Sequence, residues 1–173
     1  LEYFEQPMPQ AMIGEAARLR HHTTTPIALN ESVTTTEVVL QILQLHAADV
    51  ILPDTYQCGG ILAVKKVAAL CEAARVPCVF HCAHDLGVKT AAMLHFVASA
   101  PNFPFANDCT YYGLESDIIT EPLRIEAGHM TVPEGPGLGV EIDKAAMQRV
   151  AADPKTKFVW PQFRLKDGSV ADY

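Results

Sequence analysis

Short apolar runs alternate with helix-like segments through the first hundred residues, and this alternation limits the possible folds more than any other feature. The apolar runs lie at residues 1–5, 27–29, 50–52, 78–80 and 105–106. Segments with apolar residues at helical spacing lie between or beside them, at 9–20, 34–45, 59–74 and 87–100. Strands that alternate with helices at short intervals favour a parallel sheet with right-handed crossovers. The sequence therefore predicts an α/β fold.

The pattern changes from about residue 111. Residues 123–125 and 130–132 predict a short antiparallel pair of strands, and the Pro/Gly-rich stretch 133–139 predicts a loop. Asp143 is placed to cap a helix over residues 144–151, and Asp167 with Gly168 predicts a turn. We therefore divide the chain into residues 1–110 and residues 111–173.

Polar side chains follow the apolar runs at the points where strands should end. Asp54 follows the run at 50–53, and His81 follows the run at 78–80. Glu5 and Glu31 occupy the same kind of position. The carboxyl ends of parallel strands are where α/β barrels and doubly wound sheets keep their chemistry. Because a buried carboxylate orients an imidazole and raises its basicity, Asp54 and His81 predict a general-base pair.

Composition excludes several classes of function. The net charge of −7, without a stripe of Lys and Arg, argues against a nucleic-acid surface. No apolar stretch is long enough to span a bilayer. The cysteines are odd in number and lack a compact spacing framework, which favours a reduced, cytoplasmic compartment; they are Cys58, Cys71, Cys78, Cys82 and Cys109.

Two further motifs have simpler explanations. Cys78, His81, Cys82 and His84 suggest zinc ligands, but their spacing is too tight for one tetrahedral site built from a single loop. The glycine pair at 59–60 suggests phosphate binding at a helix N-terminus, although the geometry of a tight turn explains it equally well.

An ordered set of motifs carries a family resemblance over almost the whole chain. They are YFEQP at 3–7, PIALNES at 26–32, ADVILPD at 48–54 with GG at 59–60, the histidine at 81 with DLG at 85–87, PN at 101–102 and VPEGPGLGV at 132–140. With these motifs the chain resembles the carboxyl-terminal part of the enolase superfamily, in the mandelate racemase subgroup of the mandelate racemase and muconate lactonizing enzyme family. The resemblance implies a modified (β/α) TIM-type barrel with a capping domain. This chain would supply the fourth to eighth barrel strands and a segment that returns toward the cap, and the capping domain and first strands would lie upstream of Leu1.

The resemblance also implies a chemistry, the abstraction of a proton alpha to a carboxylate. In the family a Mg²⁺ ion held by three carboxylates stabilises the enediolate, and oxygen ligands suit this ion. By position, Glu5 is similar to the second metal ligand and Glu31 to the third, while Asp54 and His81 are similar to the base dyad. The first ligand and a second base would lie upstream of Leu1.

One departure from the family pattern concerns the end of the last barrel strand. The subgroup often carries a glutamate there, which binds the substrate carboxylate. Asn107 and Asp108 stand in its place, and we expect this catalytic contact from them.

The branch within the family depends on position 54. Cycloisomerases and epimerases carry a lysine where Asp54 stands, so the resemblance implies an acid-sugar dehydratase, or else a racemase of a 2-hydroxy acid. The expected partner is a small carboxylate substrate, an acid sugar, and the full-length enzyme is expected to be a homo-oligomer. Two alternatives stay open. One is a cycloisomerase or epimerase, and the other is a non-catalytic fragment or half-barrel that needs a partner, because this chain alone is expected to be inactive.

Overall fold

Helices and short strands alternate along the chain, as the computed structural model shows for residues 1–154. The strands are β1 (Phe4–Glu5), β2 (Ile27–Leu29), β3 (Val50–Ile51), β4 (Ile125–Glu126) and β5 (His129–Met130). The helices are α1 (Ile13–His22), α2 (Thr36–Gln44), α3 (Thr55–Cys58), α4 (Ile61–Ala73), α5 (Gly87–Ala98) and α6 (Lys144–Ala152), with a 3₁₀ turn at Tyr111–Gly113. The turn predicted at Asp167 and Gly168 lies outside the described residues.

A parallel sheet in the order β1-β2-β3 forms the centre of the fold. Residues 78–80 continue it, since the Ile51 N–H donates to the Pro77 carbonyl at 3.0 Å and the Val79 N–H donates to the Ile51 carbonyl at 3.0 Å. The chain runs in the same direction in all four segments. The predicted α/β class with a parallel sheet is confirmed.

Apolar faces hold the helices on this sheet. In α2, Val39 and Ile42 are fully buried, and the Thr35 side chain accepts from the Val38 N–H to start the helix. In α4, Val64 and Val67 are buried, and α4 packs against α2. The 3.6-residue spacing of these side chains places each set on one helix face, which is why the sequence pattern located both helices.

Several elements differ from their prediction. The helix expected over 9–20 runs from Ile13 to His22, and the strand expected at 78–80 pairs with β3 only through an isolated bridge from Cys78 to Ile51. The helix expected over 59–74 begins only at Ile61, because Gly59 and Gly60 have φ of +86° and +108°, which no helix tolerates. The strand expected at 105–106 is not formed. Pro104 lacks an N–H for a sheet ladder. The side-chain carbonyl of Asn107 accepts from the Phe80 N–H at 2.7 Å, in place of a backbone carbonyl.

The segment after residue 110 is tied to the N-terminus of α5. The Asp117 carboxylate accepts from the Gly87 N–H at 3.0 and 3.2 Å, and the Tyr111 hydroxyl donates to the same carboxylate. Further on, β4 and β5 form the predicted antiparallel pair, shifted toward its turn at residues 127–128. Asp143 caps α6 as predicted, accepting from the Ala145 and Ala146 N–H groups. The C-terminal segment thus contacts the end of the fold where strands give way to helices.

The cysteines are free thiols. Cys58, Cys71, Cys78 and Cys82 are buried, and burial raises the pKa of Cys82 to about 12. They behave as small apolar side chains at neutral pH. Within residues 1–154, no helix combines the length and the apolar character that a membrane crossing requires.

Candidate active site

Four of the side chains singled out from the sequence lie at one edge of the sheet. Glu5 is the last residue of β1, and Glu31 follows β2 by two residues. Asp54 follows β3 in the turn into α3, and His81 follows the strand-like residues 78–80. Because the strands are parallel, their carboxyl ends meet at the same edge, and the side chains converge there.

Asp54 and His81 form the expected hydrogen-bonded pair. The distance from His81 Nδ1 to Asp54 Oδ2 is 3.1 Å, which is consistent with an Nδ1–H tautomer that donates to the carboxylate. Asp54 is only 3% exposed, and its other oxygen, Oδ1, accepts from the Tyr56 N–H at 2.6 Å. The carboxylate therefore caps α3 and orients the imidazole at the same time.

The charges around His81 favour its protonated form. Burial lowers the pKa of His81, but the hydrogen bond to Asp54 and the negative charges of Glu5, Asp54 and Asp108 outweigh it, and the net pKa is raised. His81 Nε2 faces Glu5 Oε1 at 3.9 Å. The imidazole thus has one nitrogen fixed by Asp54 and the other directed toward the carboxylate at the end of β1.

Lys89 belongs to this site, and the sequence reasoning missed it. Its Nζ lies 2.8 Å from Asp54 Oδ2 and 2.9 Å from Asp85 Oδ2. Burial raises the pKa of Asp54, but its hydrogen bonds to His81, Lys89 and the Tyr56 N–H lower it by more, so that the net pKa is lowered. The four-residue spacing of Asp85 and Lys89 at the start of α5 was the available signal, because side chains at this spacing meet on a helix.

Glu5 and Glu31 form an electronegative pair. Burial raises the pKa of Glu5, and the charges of Asp108 and Glu31 raise it further, against the opposing effect of His81. Glu31 Oε2 is buried and has no hydrogen-bond partner among the described residues. An unpaired buried carboxylate oxygen beside a second carboxylate is an arrangement that a cation would stabilise.

Asn107 and Asp108 are both hydrogen-bonded to the backbone of Phe80, the residue before His81. The Asn107 carbonyl oxygen is occupied by the Phe80 N–H, which leaves its Nδ2 group as a donor. The Asp108 N–H donates to the Phe80 carbonyl at 3.3 Å. Burial raises the pKa of Asp108, in opposition to the charge of His81. Asp108 therefore adds to the negative charge around the imidazole.

The described part of the chain does not by itself present a complete metal centre. Among residues 1–154, no group of three or more His, Cys, Asp or Glu side chains is arranged to hold an ion. This applies equally to the zinc interpretation of residues 78–84 and to the pair of Glu5 and Glu31.

A family model and several curated relatives match this chain and indicate the same family. The model of the family described as "Enolase C-terminal domain-like" matches residues 1–146. Muconate cycloisomerase 1 of Rhodococcus opacus is 32% identical over 151 residues, which are 86% of this chain and 40% of that protein. N-succinylamino acid racemase of Thermus thermophilus is 34% identical over 87% of this chain and 41% of its own length. D-gluconate dehydratase of Thermoproteus tenax is 31% identical over 88% of this chain and 31% of its own length.

Solved structures show the same likeness. An enolase from Gibberella zeae, in complex with magnesium, formate and sulfate, superimposes with a TM-score of 0.78 and 28% identity, over 86% of this chain and 35% of that one. The predicted partial (β/α) barrel is thereby confirmed. The chain spans between 31% and 41% of the length of the three curated relatives.

Proposed function

This chain belongs to the enolase C-terminal domain-like family, in the carboxyl-terminal portion of the mandelate racemase and muconate lactonizing enzyme family, and from that premise we propose its function. We infer that it supplies part of a Mg²⁺-dependent active site that removes a proton alpha to a carboxylate. The reaction we propose is dehydration of an acid sugar, with racemisation of a 2-hydroxy acid as the second choice. The observation that carries the proposal is the hydrogen bond between Asp54 and His81 beside Glu5.

Glu5 and Glu31 have the chemistry of magnesium ligands. Both offer hard oxygen atoms, and Glu31 Oε2 has no partner among the described residues. When bound, Mg²⁺ would supply positive charge that offsets the negative charge that develops on the substrate carboxylate. A further ligand is needed, and we expect it from a segment that precedes residue 1 or from a partner chain.

His81 is the proposed proton carrier. Asp54 holds Nδ1–H, so that Nε2 is the nitrogen available to a substrate. The hydrogen bond to Asp54 and the surrounding carboxylates raise the pKa of His81, which favours the protonated ring. A protonated imidazole suits dehydration, in which the carbon–oxygen bond of the leaving hydroxyl breaks and the hydroxyl takes a proton to depart as water. The α proton would go to a second base, which we expect from the same source as the further metal ligand. A racemase base would need the neutral ring, which is why we rank dehydration first.

Asn107 and Asp108 are the proposed contacts to the substrate carboxylate. Asn107 would donate through Nδ2, since its carbonyl oxygen is occupied by Phe80. Asp108 would have to carry a proton in order to donate a hydrogen bond, and burial raises its pKa in that direction, against the charge of His81.

Two alternatives have an observation in their favour. Muconate cycloisomerase 1 is among the relatives, which favours a cycloisomerase, although Asp54 replaces the lysine of that branch. A half-barrel that works only with a partner is favoured by the lack of a three-ligand group within residues 1–154. The division into residues 1–110 and 111–173, the homo-oligomeric enzyme and the cytoplasmic location remain our proposals for the whole protein.

The test uses the complete enzyme in D₂O, with Mg²⁺ and a panel of acid sugars. The rate at which a 2-keto product appears reports on His81, and deuterium incorporation at the α carbon reports on the base that removes the α proton. We expect His81→Asn to lower the rate by about 10²-fold or more, as for loss of a general acid or base. The matched control is His22→Asn, at the exposed end of α1. If His81→Asn turns over at the unmodified rate, the proposed role is wrong.

A further inference from the structure

The side-chain amide of Gln6 connects the two loops that carry Glu5 and Glu31. Gln6 directly follows Glu5, and its Oε1 accepts from the N–H groups of Asn30 and Ser32, at 2.9 and 3.3 Å. These are the two amides that flank Glu31 in the chain. One side chain therefore fixes the turn after β2 against the turn after β1.

The amide of Gln6 has no capacity left for a substrate. Its Nε2 donates to the Met8 carbonyl at 2.7 Å and to Ser32 Oγ at 2.9 Å. Together with the two bonds that Oε1 accepts, both donors and both acceptor positions of a primary amide are used. The orientation of the amide is also determined, because a flipped group would place its NH₂ against two N–H donors. The contribution of Gln6 is accordingly to geometry.

The backbone of Gln6 is held in an unfavourable conformation. Its φ is +38°, in the left-handed region that residues other than glycine rarely adopt. The next residue is Pro7, and a residue before proline normally takes an extended conformation. The Gln6 N–H nevertheless donates to the Ala28 carbonyl at 2.9 Å. Surrounding bonds thus impose a local strain, and strained residues of this kind cluster at functional sites.

From this geometry we propose that Gln6 is the positioning residue of the Glu5 and Glu31 pair, and that it sets the affinity of this pair for a divalent cation. The inference rests on the proposed function, since it concerns the same cation. Groups that orient metal ligands through hydrogen bonds typically change metal affinity by about 10- to 100-fold when they are removed. Gln6 touches neither carboxylate through its amide and acts through the backbone on both sides of Glu31.

The experiment is a Mn²⁺ titration followed by electron paramagnetic resonance, with the complete protein, in which the further ligand is present. Gln6→Met keeps the length of the side chain and removes all four hydrogen bonds of the side-chain amide. We expect its dissociation constant for Mn²⁺ to rise by about 10-fold. The matched control is Gln10→Met, four residues on, whose side chain is exposed, and we expect its affinity to be unchanged.

A second comparison separates positioning from general destabilisation. Ile42→Val, in the buried face of α2, weakens the core without touching the site. We expect it to bind Mn²⁺ as the unmodified protein does. If Gln6→Met fails to fold, Ser32→Ala removes the Oγ partner of Gln6, together with the hydrogen bond from that hydroxyl to the Gln10 carbonyl. We then expect a smaller loss, of about 3-fold, because the other three hydrogen bonds of the Gln6 amide stay.

The outcomes are distinguishable. Unchanged Mn²⁺ affinity in Gln6→Met, or in its substitute Ser32→Ala, would overturn the positioning role while leaving the metal centre in place. An equal loss of affinity in Ile42→Val would overturn it too, because stability alone would then explain the effect. No Mn²⁺ binding by the complete protein, with the further ligand present, would overturn the proposed metal centre, and this inference with it.

Discussion

Gly87 is the position at which the smallest change should have the largest effect on the fold around the site. An added Cβ would meet Asp117 Oδ2 at 2.5 Å and Ile119 Cγ1 at 2.9 Å, and it would also meet Ile119 Cδ1. Ordinary van der Waals contact begins at 3.4 Å, so these atoms must retreat by about 0.9 and 0.5 Å. Since φ at Gly87 is not in the left-handed region, the conflict in Gly87→Ala comes from packing alone.

The magnitude follows from the two interactions that this retreat disturbs. Overpacking of a well-packed site costs about 1–3 kcal/mol. Withdrawal of Asp117 also removes the carboxylate that accepts from the Gly87 N–H at the start of α5, and the loss of such a cap costs about 1 kcal/mol. We therefore expect Gly87→Ala to lower the free energy of unfolding by about 2–4 kcal/mol.

The assay is urea unfolding followed by circular dichroism. The matched control is Gly14→Ala in α1, where an added Cβ meets nothing within 4 Å, and we expect stabilisation of about 0.5–1 kcal/mol because alanine favours a helix. The reasoning is refuted if Gly87→Ala is as stable as the unmodified chain, or if both variants shift the midpoint in the same direction by the same amount.

Three further predictions concern charges at the site. Lys89→Met should lower the free energy of unfolding by about 2 kcal/mol, because it leaves the buried Asp54 short of one partner. Lys89→Arg keeps the charge and should lower the free energy of unfolding by less. Equal losses for the two variants in urea unfolding would contradict this. The lowered pKa of Asp54 means that its stabilisation is present above its ordinary value of about 4 and is lost as pH falls through the lower pKa of the folded state. We therefore expect the difference in free energy of unfolding between the unmodified protein and Asp54→Asn to shrink below about pH 4. Unfolding at several pH values measures it, and a difference that grows below about pH 4 would contradict the lowered pKa of Asp54. Glu31→Gln should raise the melting temperature without metal, since it removes a negative charge that acts on Glu5. It should also abolish any rise on addition of Mg²⁺, and a rise that persists would exclude Glu31 as a ligand.

The sequence located the strand ends well, because burial and strand direction leave a local signature. A short apolar run followed by a polar residue marks the carboxyl end of a strand, and this pattern predicts that Asp54 and His81 lie at the same edge of the sheet. The resemblance to the family added roles for Glu5 and Glu31 that the pattern alone did not supply. Those roles are still proposals.

The contacts that the sequence missed are long-range and made by side chains. Lys89 reaches Asp54 across 35 residues, and Gln6 reaches Ser32 across 26 residues. No local pattern records such a pairing. The strand expected at 105–106 is not formed for a different reason. Its apolar character predicts a strand, but the adjacent Pro104 disfavours one.

Asp54 both caps α3 and pairs with Lys89, and these two contacts limit which residues can replace it. Its carboxylate starts α3 and also receives Lys89, so Asp54→Lys would remove a helix cap and set two ammonium groups against each other. Loss of the cap alone costs about 1 kcal/mol, and the repulsion adds to it. A change to lysine at position 54 is therefore better tolerated after position 89 has lost its charge.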